Sequence, residues 1–357
     1  MIDIRVDELI SYKEKPDPNI LGFGKYFTDR MFLMDYDIDE GWHNARIVPF
    51  GHLSLHPACN VFHYGAEIFE GLKAYRRVDG SVGLFRPWEN IKRFNRSAAR
   101  LDLPQIDEEL AFKVLCKFVE LEQDWAPANP GTSLYLRPFM FGCDPHLGVH
   151  SIKKCTFVII ASPVGNYYAE GLSPVKIMIE DEDVRAVVGG TGEAKCGGNY
   201  AAANRAGHKA EKAGYSQVLW LDGVHRKYIE EVGAMNVMFK IGDEIVTPAL
   251  CGSILPGITR KSCIELLRDK GYTVTERRIS VDELGEALEN GQVKEAWGCG
   301  TAAVISPIGK LKYKNSVYDV NNNEIGEVTQ WLYDTLTGIQ WGRLEDTYNW
   351  TVKIPKK

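Results

Sequence analysis

Strand-length apolar runs and helical repeats segregate along this chain instead of alternating, and that ordering constrains the fold more than any other feature. Residues 69–75 and 82–85 read as strands around a turn at Asp79-Gly80. Residues 90–101 then place Ile91, Phe94, Ala98 and Leu101 on one helical stripe, ended before Pro104. Asp107 is positioned to cap a second helix, in which Leu110, Val114, Phe118 and Leu121 recur at helical spacing. Residues 132–141 and 154–162 read as strands, the second apolar enough to lie centrally in its sheet. The segment 163–171 breaks the pattern with a Pro and two Gly, and Pro174 follows. Past this break come strands at 175–180 and 216–221, an Ala-rich helix from about Asn199, and a hairpin with 234–241 and 245–247 flanking Gly242-Asp243. Helices are expected at 258–270, 281–290 and 325–341, and strands at 293–297 and 303–308 around a Gly298-Cys299-Gly300 turn. Segregated elements favour α+β over a doubly wound sheet. With 357 residues, two domains are expected: a small one at 1–163, an interdomain loop at 164–175, and a large one at 176–357.

Composition narrows the function classes. Lys+Arg 42 against Asp+Glu 48 gives a net charge of −6 without a basic block, which argues against a nucleic-acid partner. No apolar run reaches membrane-spanning length and the acidic start does not read as a signal peptide, so no membrane association and a cytoplasmic location are expected. The 8 cysteines contain no CxxC pair and are too dilute for a disulfide scaffold, which fits reduced, buried thiols. His52 and His56 lie four apart, but their run reads as strand and lacks the acid of a zinc-protease helix, so no metal site is expected. The 34 glycines are more than ordinary usage supplies and ask for a location.

Four segments carry candidate chemistry. Residues 189–198 hold five Gly around Lys195, without the spacing of a dinucleotide fingerprint or the ending of a P-loop. Glycine on both sides lets backbone and a planar ligand approach the lysine, and poor solvation favours the neutral amine that a Schiff base needs. A surface loop with an ordinary solvated lysine stays open on this segment alone. Glu230 and Glu231 are adjacent, so on a strand one can be buried beside a partner while the other faces solvent. Pro256-Gly257 at the start of a helix offers first-turn N–H groups to a phosphate. The Gly298–Ala302 stretch adds further amides and the Thr301 hydroxyl.

In this order the pieces resemble the branched-chain-amino-acid aminotransferases, pyridoxal-phosphate enzymes of fold type IV (D-amino-acid-aminotransferase-like, two-domain α+β). The matching stretches include HYGAEIFEGLKAYR, LFRPWENIKRFNRSAARL, GTSLYLRP, GGTGEAKCGGNY, EEVGAMN, ILPGITR and GCGTAAVISP, collinear over nearly the whole chain. The resemblance implies that Lys195 forms the internal aldimine with pyridoxal 5'-phosphate. Arg93 would grip the phosphate through a bidentate fork, with the backbone of Ile258 and Thr259 and the Thr301 hydroxyl completing the seat. Glu231 would pair with the pyridine nitrogen and Tyr200 with the cofactor's 3-oxygen. Tyr135 and Arg137 would serve the substrate carboxylate side, Arg137 also meeting the second carboxylate of glutamate. Tyr64, Phe69 and Tyr167 would line the pocket, with Thr301 and Ala302 at its edge. Tyr64 and the loop at Leu147, Gly148 and Val149 would reach in from a neighbouring subunit, implying a homodimer with active sites completed across the interface.

The implied reaction is ping-pong transamination between L-leucine, L-isoleucine or L-valine and 2-oxoglutarate, so the expected partners are small amino acids and 2-oxo acids. Mammalian members carry a redox CxxC after the Gly-Thr-Ala turn; here the run is Ala302-Ala303-Val304-Ile305-Ser306, and Ala234 replaces their Thr. Cys196 and Cys299 are therefore expected as small neighbours of the site without a paired thiol, in a bacterial-type enzyme. Rival readings are another fold-type IV enzyme, such as a D-amino-acid aminotransferase, and a cofactor-binding protein without turnover.

Overall fold

The computed structural model describes residues 2–165 and 172–356. Of these, residues 2–165, 194–197 and 338–356 make one compact unit, and residues 172–193 with 198–337 make a second. A single division at 164–175 therefore misses two returns of the chain. The later return is fixed by the strand Thr351–Ile354, which pairs antiparallel with Val82–Phe85. The earlier one carries Lys195 into the first unit.

The first unit is built on a 9-stranded sheet. Its order is Arg5–Val6, Gly41–Pro49, Arg30–Asp37, Lys154–Val164, Ser133–Gly142, Leu72–Arg76, Val82–Phe85 and Thr351–Ile354, with Glu67–Phe69 also paired to Ser133–Gly142. Lys154–Val164 is central, with Arg30–Asp37 on one side and Ser133–Gly142 on the other, as its apolar run requires. Two helices cover the sheet. Pro87–Arg100 begins three residues before the apolar stripe, because proline at the first helical position loses no hydrogen bond there. Glu108–Glu122 is capped by Asp107, whose carboxylate accepts the Leu110 N–H at 2.9 Å. Ile91, Phe94, Ala98, Val114 and Phe118 pack with Phe32, Leu84, Leu136 and Phe157 in one core. Full burial of a side chain such as Phe118 contributes on the order of 2–3 kcal/mol.

The second unit holds another 9-stranded sheet, of mixed direction. It runs Ile229–Val232, Gln217–Leu221, Val175–Glu180, Val304–Tyr313, Val293–Gly300, Asn236–Ile241, Glu244–Thr247 and Thr273–Glu276, with Ser316–Asp319 on Val304–Tyr313. The hairpin at Gly242-Asp243 forms, with Gly242 at φ 57°. The Ala-rich helix is broken into Gly197–Ala201 and Asn204–Lys212, because Ala203 N–H bonds Tyr200 three residues back. Ala206 and Ala210 of the longer piece pack on Val218 and Trp220. Residues 298–300 are strand rather than turn: Gly298 and Gly300 pair with Ser306 and Val304, and the reversal falls at 301–303. The run at His52–His56 is irregular, not strand.

Candidate active site

In the first unit Lys195 is fixed by its backbone. Its N–H donates to Ser97 Oγ at 2.9 Å and its carbonyl accepts the Phe69 N–H at 2.9 Å, tying it to helix Pro87–Arg100 and strand Glu67–Phe69. The amine lies 4.8 Å from the centre of the Phe69 ring. Burial pulls it down to about 8, with the nearby Arg93 charge adding to the effect and Glu70 opposing it. An amine in that range is part neutral near pH 7, as a carbonyl-attacking lysine requires. Lys73 is a second lysine of this kind, 6% exposed and pulled by burial to about 7. It stands opposite Tyr135 in the sheet, and hence on the same face.

Arg93 is buried at 3% exposure and locked by Glu70, itself 1% exposed. Its Nε and Nη2 donate to the two Glu70 oxygens at 2.7 and 2.9 Å, and Asn90 Nδ2 adds a bond at 2.7 Å. Burial opposes the Glu70 charge, yet Arg93 holds that carboxyl below its ordinary range. One bidentate edge of Arg93, Nε with Nη2, is thus engaged by a carboxylate. Tyr135 and Arg137 alternate onto one face of Ser133–Gly142: Arg137 Nη2 donates to the Tyr135 hydroxyl at 3.0 Å, and its guanidinium lies 4.6 Å from the Phe69 ring centre. A Cβ at Gly71 would collide with that hydroxyl. Tyr64 is exposed and its hydroxyl accepts the Gly148 N–H of the same chain at 2.8 Å. Val149 stands 88% exposed. Tyr167 lies outside the described residues.

In the second unit Glu231 sits 3% exposed on strand Ile229–Val232. Its Oε1 accepts the Leu255 N–H at 2.8 Å and Asn236 Nδ2 at 3.3 Å. Its Oε2 meets Arg185 Nε at 2.9 Å as an ion pair, without the alignment of a directed hydrogen bond. Arg185 also ties down the glycine loop and the 251–257 segment, its Nη2 donating to the carbonyls of Gly192 and Ser253. Glu230 is buried too, contrary to the expectation that one acid faces solvent, because Ser253 covers its side and donates to it. That burial raises its carboxyl.

Helix Ile258–Asp269 starts after Gly257 with no side-chain cap, so its first turn presents N–H groups as the Pro-Gly entry suggests. A Cβ at Gly257 would strike Asn236, a partner of Glu231. Tyr200 lies half-buried on Gly197–Ala201, and Thr301 and Ala302 lie in the turn after Val293–Gly300. Cys299 is a buried free thiol on strand Val293–Gly300, and the thiol of Cys263, from helix Ile258–Asp269, is raised by burial and by Cys299 beside it. Glu70, Ser97, Arg185 and Asn236 were not singled out from sequence. Only the short spacing of Arg185 from the glycine cluster offered a signal.

Comparison with known proteins gives the family and the fold. The amino-transferase class IV family model matches residues 67–311. The chain is 53% identical over 352 residues to branched-chain-amino-acid transaminase 1 of Bacillus subtilis, covering 98% of this chain and 99% of that protein. It is 46% identical over 338 residues to a branched-chain-amino-acid aminotransferase of Mycolicibacterium smegmatis, covering 93% and 92%. Among solved structures, the branched-chain amino acid aminotransferase from Escherichia coli shares the fold with a TM-score of 0.73 at 24% identity, over 92% of this chain and 99% of that one. The T.th. branched-chain amino acid aminotransferase with pyridoxamine 5'-phosphate does so with a TM-score of 0.77 at 24% identity, over 91% and 98%.

Proposed function

The chain belongs to the amino-transferase class IV family, and we propose that it exchanges amino groups between L-leucine, L-isoleucine or L-valine and 2-oxoglutarate. The family is pyridoxal-phosphate-dependent. In the first half-reaction the branched amino acid leaves as its 2-oxo acid. In the second, 2-oxoglutarate takes up the amino group and a proton and leaves as L-glutamate. The observation that carries this reading is the fixed placement of Lys195 at the end of the glycine-rich segment, its backbone tied to Ser97 and Phe69 and its amine 4.8 Å from the Phe69 ring centre.

This chain's residues fit the cofactor on three points. Lys195 supplies an amine that is part neutral at working pH. Glu231 is a carboxylate met by donors, suited to a protonated ring nitrogen. The uncapped first turn at Ile258 and Thr259 suits a phosphate. When bound, the cofactor supplies an electron sink for the bond pair released at the substrate's α-carbon. Lys195 Nζ would hold the cofactor through its aldehyde, and as a free amine it would move the proton at the substrate's α-carbon. Tyr200 would hold the cofactor's 3-oxygen. Arg93, whose Nε and Nη2 bond Glu70, would meet the phosphate, and Thr301 would add its hydroxyl.

Tyr135 and Arg137 would orient the substrate carboxylates, while Phe69 and Ala302 would bound the side-chain pocket. The exposed Phe62, Tyr64, Leu147 and Val149 support a homodimer in which Tyr64 and the 147–149 loop face the neighbouring subunit's substrate. The eight free cysteines accord with a cytoplasmic enzyme. The test is optical: L-leucine or L-valine should bleach the visible band of the purified holoenzyme, and 2-oxoglutarate should restore it. A response to D-alanine alone would refute the reading.

A further inference from the structure

Glu67 is the charged neighbour of the substrate-side arginine that the reading above leaves without a role. In the pairing of Glu67–Phe69 with Ser133–Gly142, Glu67 stands opposite Phe141 and Phe69 opposite Phe139. Residues two apart on a strand share a face, so Glu67, Phe69, Tyr135 and Arg137 all rise from one face of the sheet. The Arg137 guanidinium lies over Phe69, and the Lys195 amine is also within 4.8 Å of that ring centre. Glu67 Oε1 accepts the Gly197 N–H, two residues beyond Lys195, and a Cβ at Gly197 would run into that carboxylate. Among the described residues, Arg137 Nε is buried without a hydrogen-bond acceptor.

We propose that Glu67 is a specificity-determining residue that sets, through Arg137, the balance between apolar and dicarboxylic substrates. The inference rests on the transaminase reading given above. An aminotransferase that takes both leucine and glutamate presents Arg137 with two situations. With glutamate bound, the second carboxylate neutralises the guanidinium. With leucine bound, an alkyl group faces it, and a partly buried cation needs compensation from the protein. Glu67 supplies that compensation as an electrostatic neighbour of Arg137. Burial raises the Glu67 carboxyl, while the Gly197 N–H and Arg137 both work to keep it charged. Its negative charge therefore favours the apolar substrates and opposes the dicarboxylic ones.

Glu67→Gln separates charge from shape, because Gln keeps an oxygen for the Gly197 N–H and loses only the charge. The assay is steady-state kinetics on the holoenzyme with L-leucine and 2-oxoglutarate, and in reverse with L-glutamate. The expected result is a KM for L-glutamate and 2-oxoglutarate lowered about three- to tenfold and a KM for L-leucine raised by a similar factor, the scale of a partly screened charge pair. The value of kcat and the fraction of cofactor retained on gel filtration should stay within about twofold. Glu67→Asp, which restores the charge, should return both KM values toward wild type. Equal movement of both KM values, or a fall in kcat and cofactor content alone, would overturn the inference and leave Glu67 as a structural support of Lys195. Failure of wild type itself to turn over leucine with 2-oxoglutarate would instead overturn the transaminase reading.

Discussion

Replacing Glu70 by Gln removes one charge from a pair that the fold has taken out of water. Glu70 is 1% exposed and Arg93 3%. The carboxylate accepts Arg93 Nε at 2.7 Å, Arg93 Nη2 at 2.9 Å, Asn90 Nδ2 at 2.7 Å and the Gly71 N–H at 3.1 Å. Gln leaves one oxygen and sets an NH2 group against donors, so Arg93 becomes a buried cation with no matching anion. Breaking such a pair costs about 3–5 kcal/mol, and the retained oxygen places Glu70→Gln near about 3 kcal/mol. The same change frees Arg93 to reorient, which should weaken cofactor binding about tenfold or more.

Urea denaturation of the cofactor-free protein reads the first effect, and equilibrium titration with pyridoxal phosphate the second. The pH dependence follows from the direction of the Glu70 shift. Its carboxyl is held below the ordinary range in the folded chain, so its contribution is present above the unfolded value of roughly 4.3. That contribution is lost as pH falls from there through the lower folded value. The gap between wild type and Glu70→Gln should therefore be full at pH 7 and close in acid. A gap under about 1 kcal/mol at pH 7, or one that is unchanged below the carboxylate range, would refute the argument.

Two further outcomes follow from named contacts. Arg185→Met removes the ion pair to Glu231 and the ties to Gly192 and Ser253; cofactor affinity by titration should drop about tenfold or more, with a stability loss of about 3 kcal/mol in the cofactor-free protein. In the cofactor-free protein Lys195 should react with an amine-directed acylating reagent with an inflection near about 8, whereas ordinary lysines respond about two units higher, as quantified by peptide mass spectrometry across pH.

What the sequence revealed, and what it concealed, divides by range. Asp107 as a cap, the Pro-Gly entry to helix Ile258–Asp269 and the Gly242 hairpin are local, and local chemistry decides them. Lys195 and Glu231 stand out as candidates through their glycine flanks and strand placement, while their roles come from the resemblance alone. Glu70 was not, since its partner Arg93 lies 23 residues away on another element. The burial of Glu230 depends on Ser253, again 23 residues distant. Cys263 and Cys299 meet because a helix and a strand pack together, which no spacing rule announces. The strand Thr351–Ile354 joins the first unit's sheet by pairing with residues far earlier in the chain. Residues 298–300 misread as turn because glycine usually breaks strands. Here Met235 lies where Cβ atoms at Gly298 and Gly300 would project, so close packing explains the absence of side chains.

Two lysines of lowered basicity, Lys195 and Lys73, are candidates to bond the cofactor, and Lys195 is the one proposed to form that bond. Lys73 is brought to about 7 by burial and shares a sheet face with Tyr135, so it is a true competitor. Borohydride reduction of the holoenzyme converts a lysine–cofactor imine into a stable secondary amine, and peptide mass spectrometry then locates it. The phosphopyridoxyl mass should fall on the peptide containing Lys195, and on that lysine. The same mass on Lys73, or on any lysine but Lys195, would contradict it.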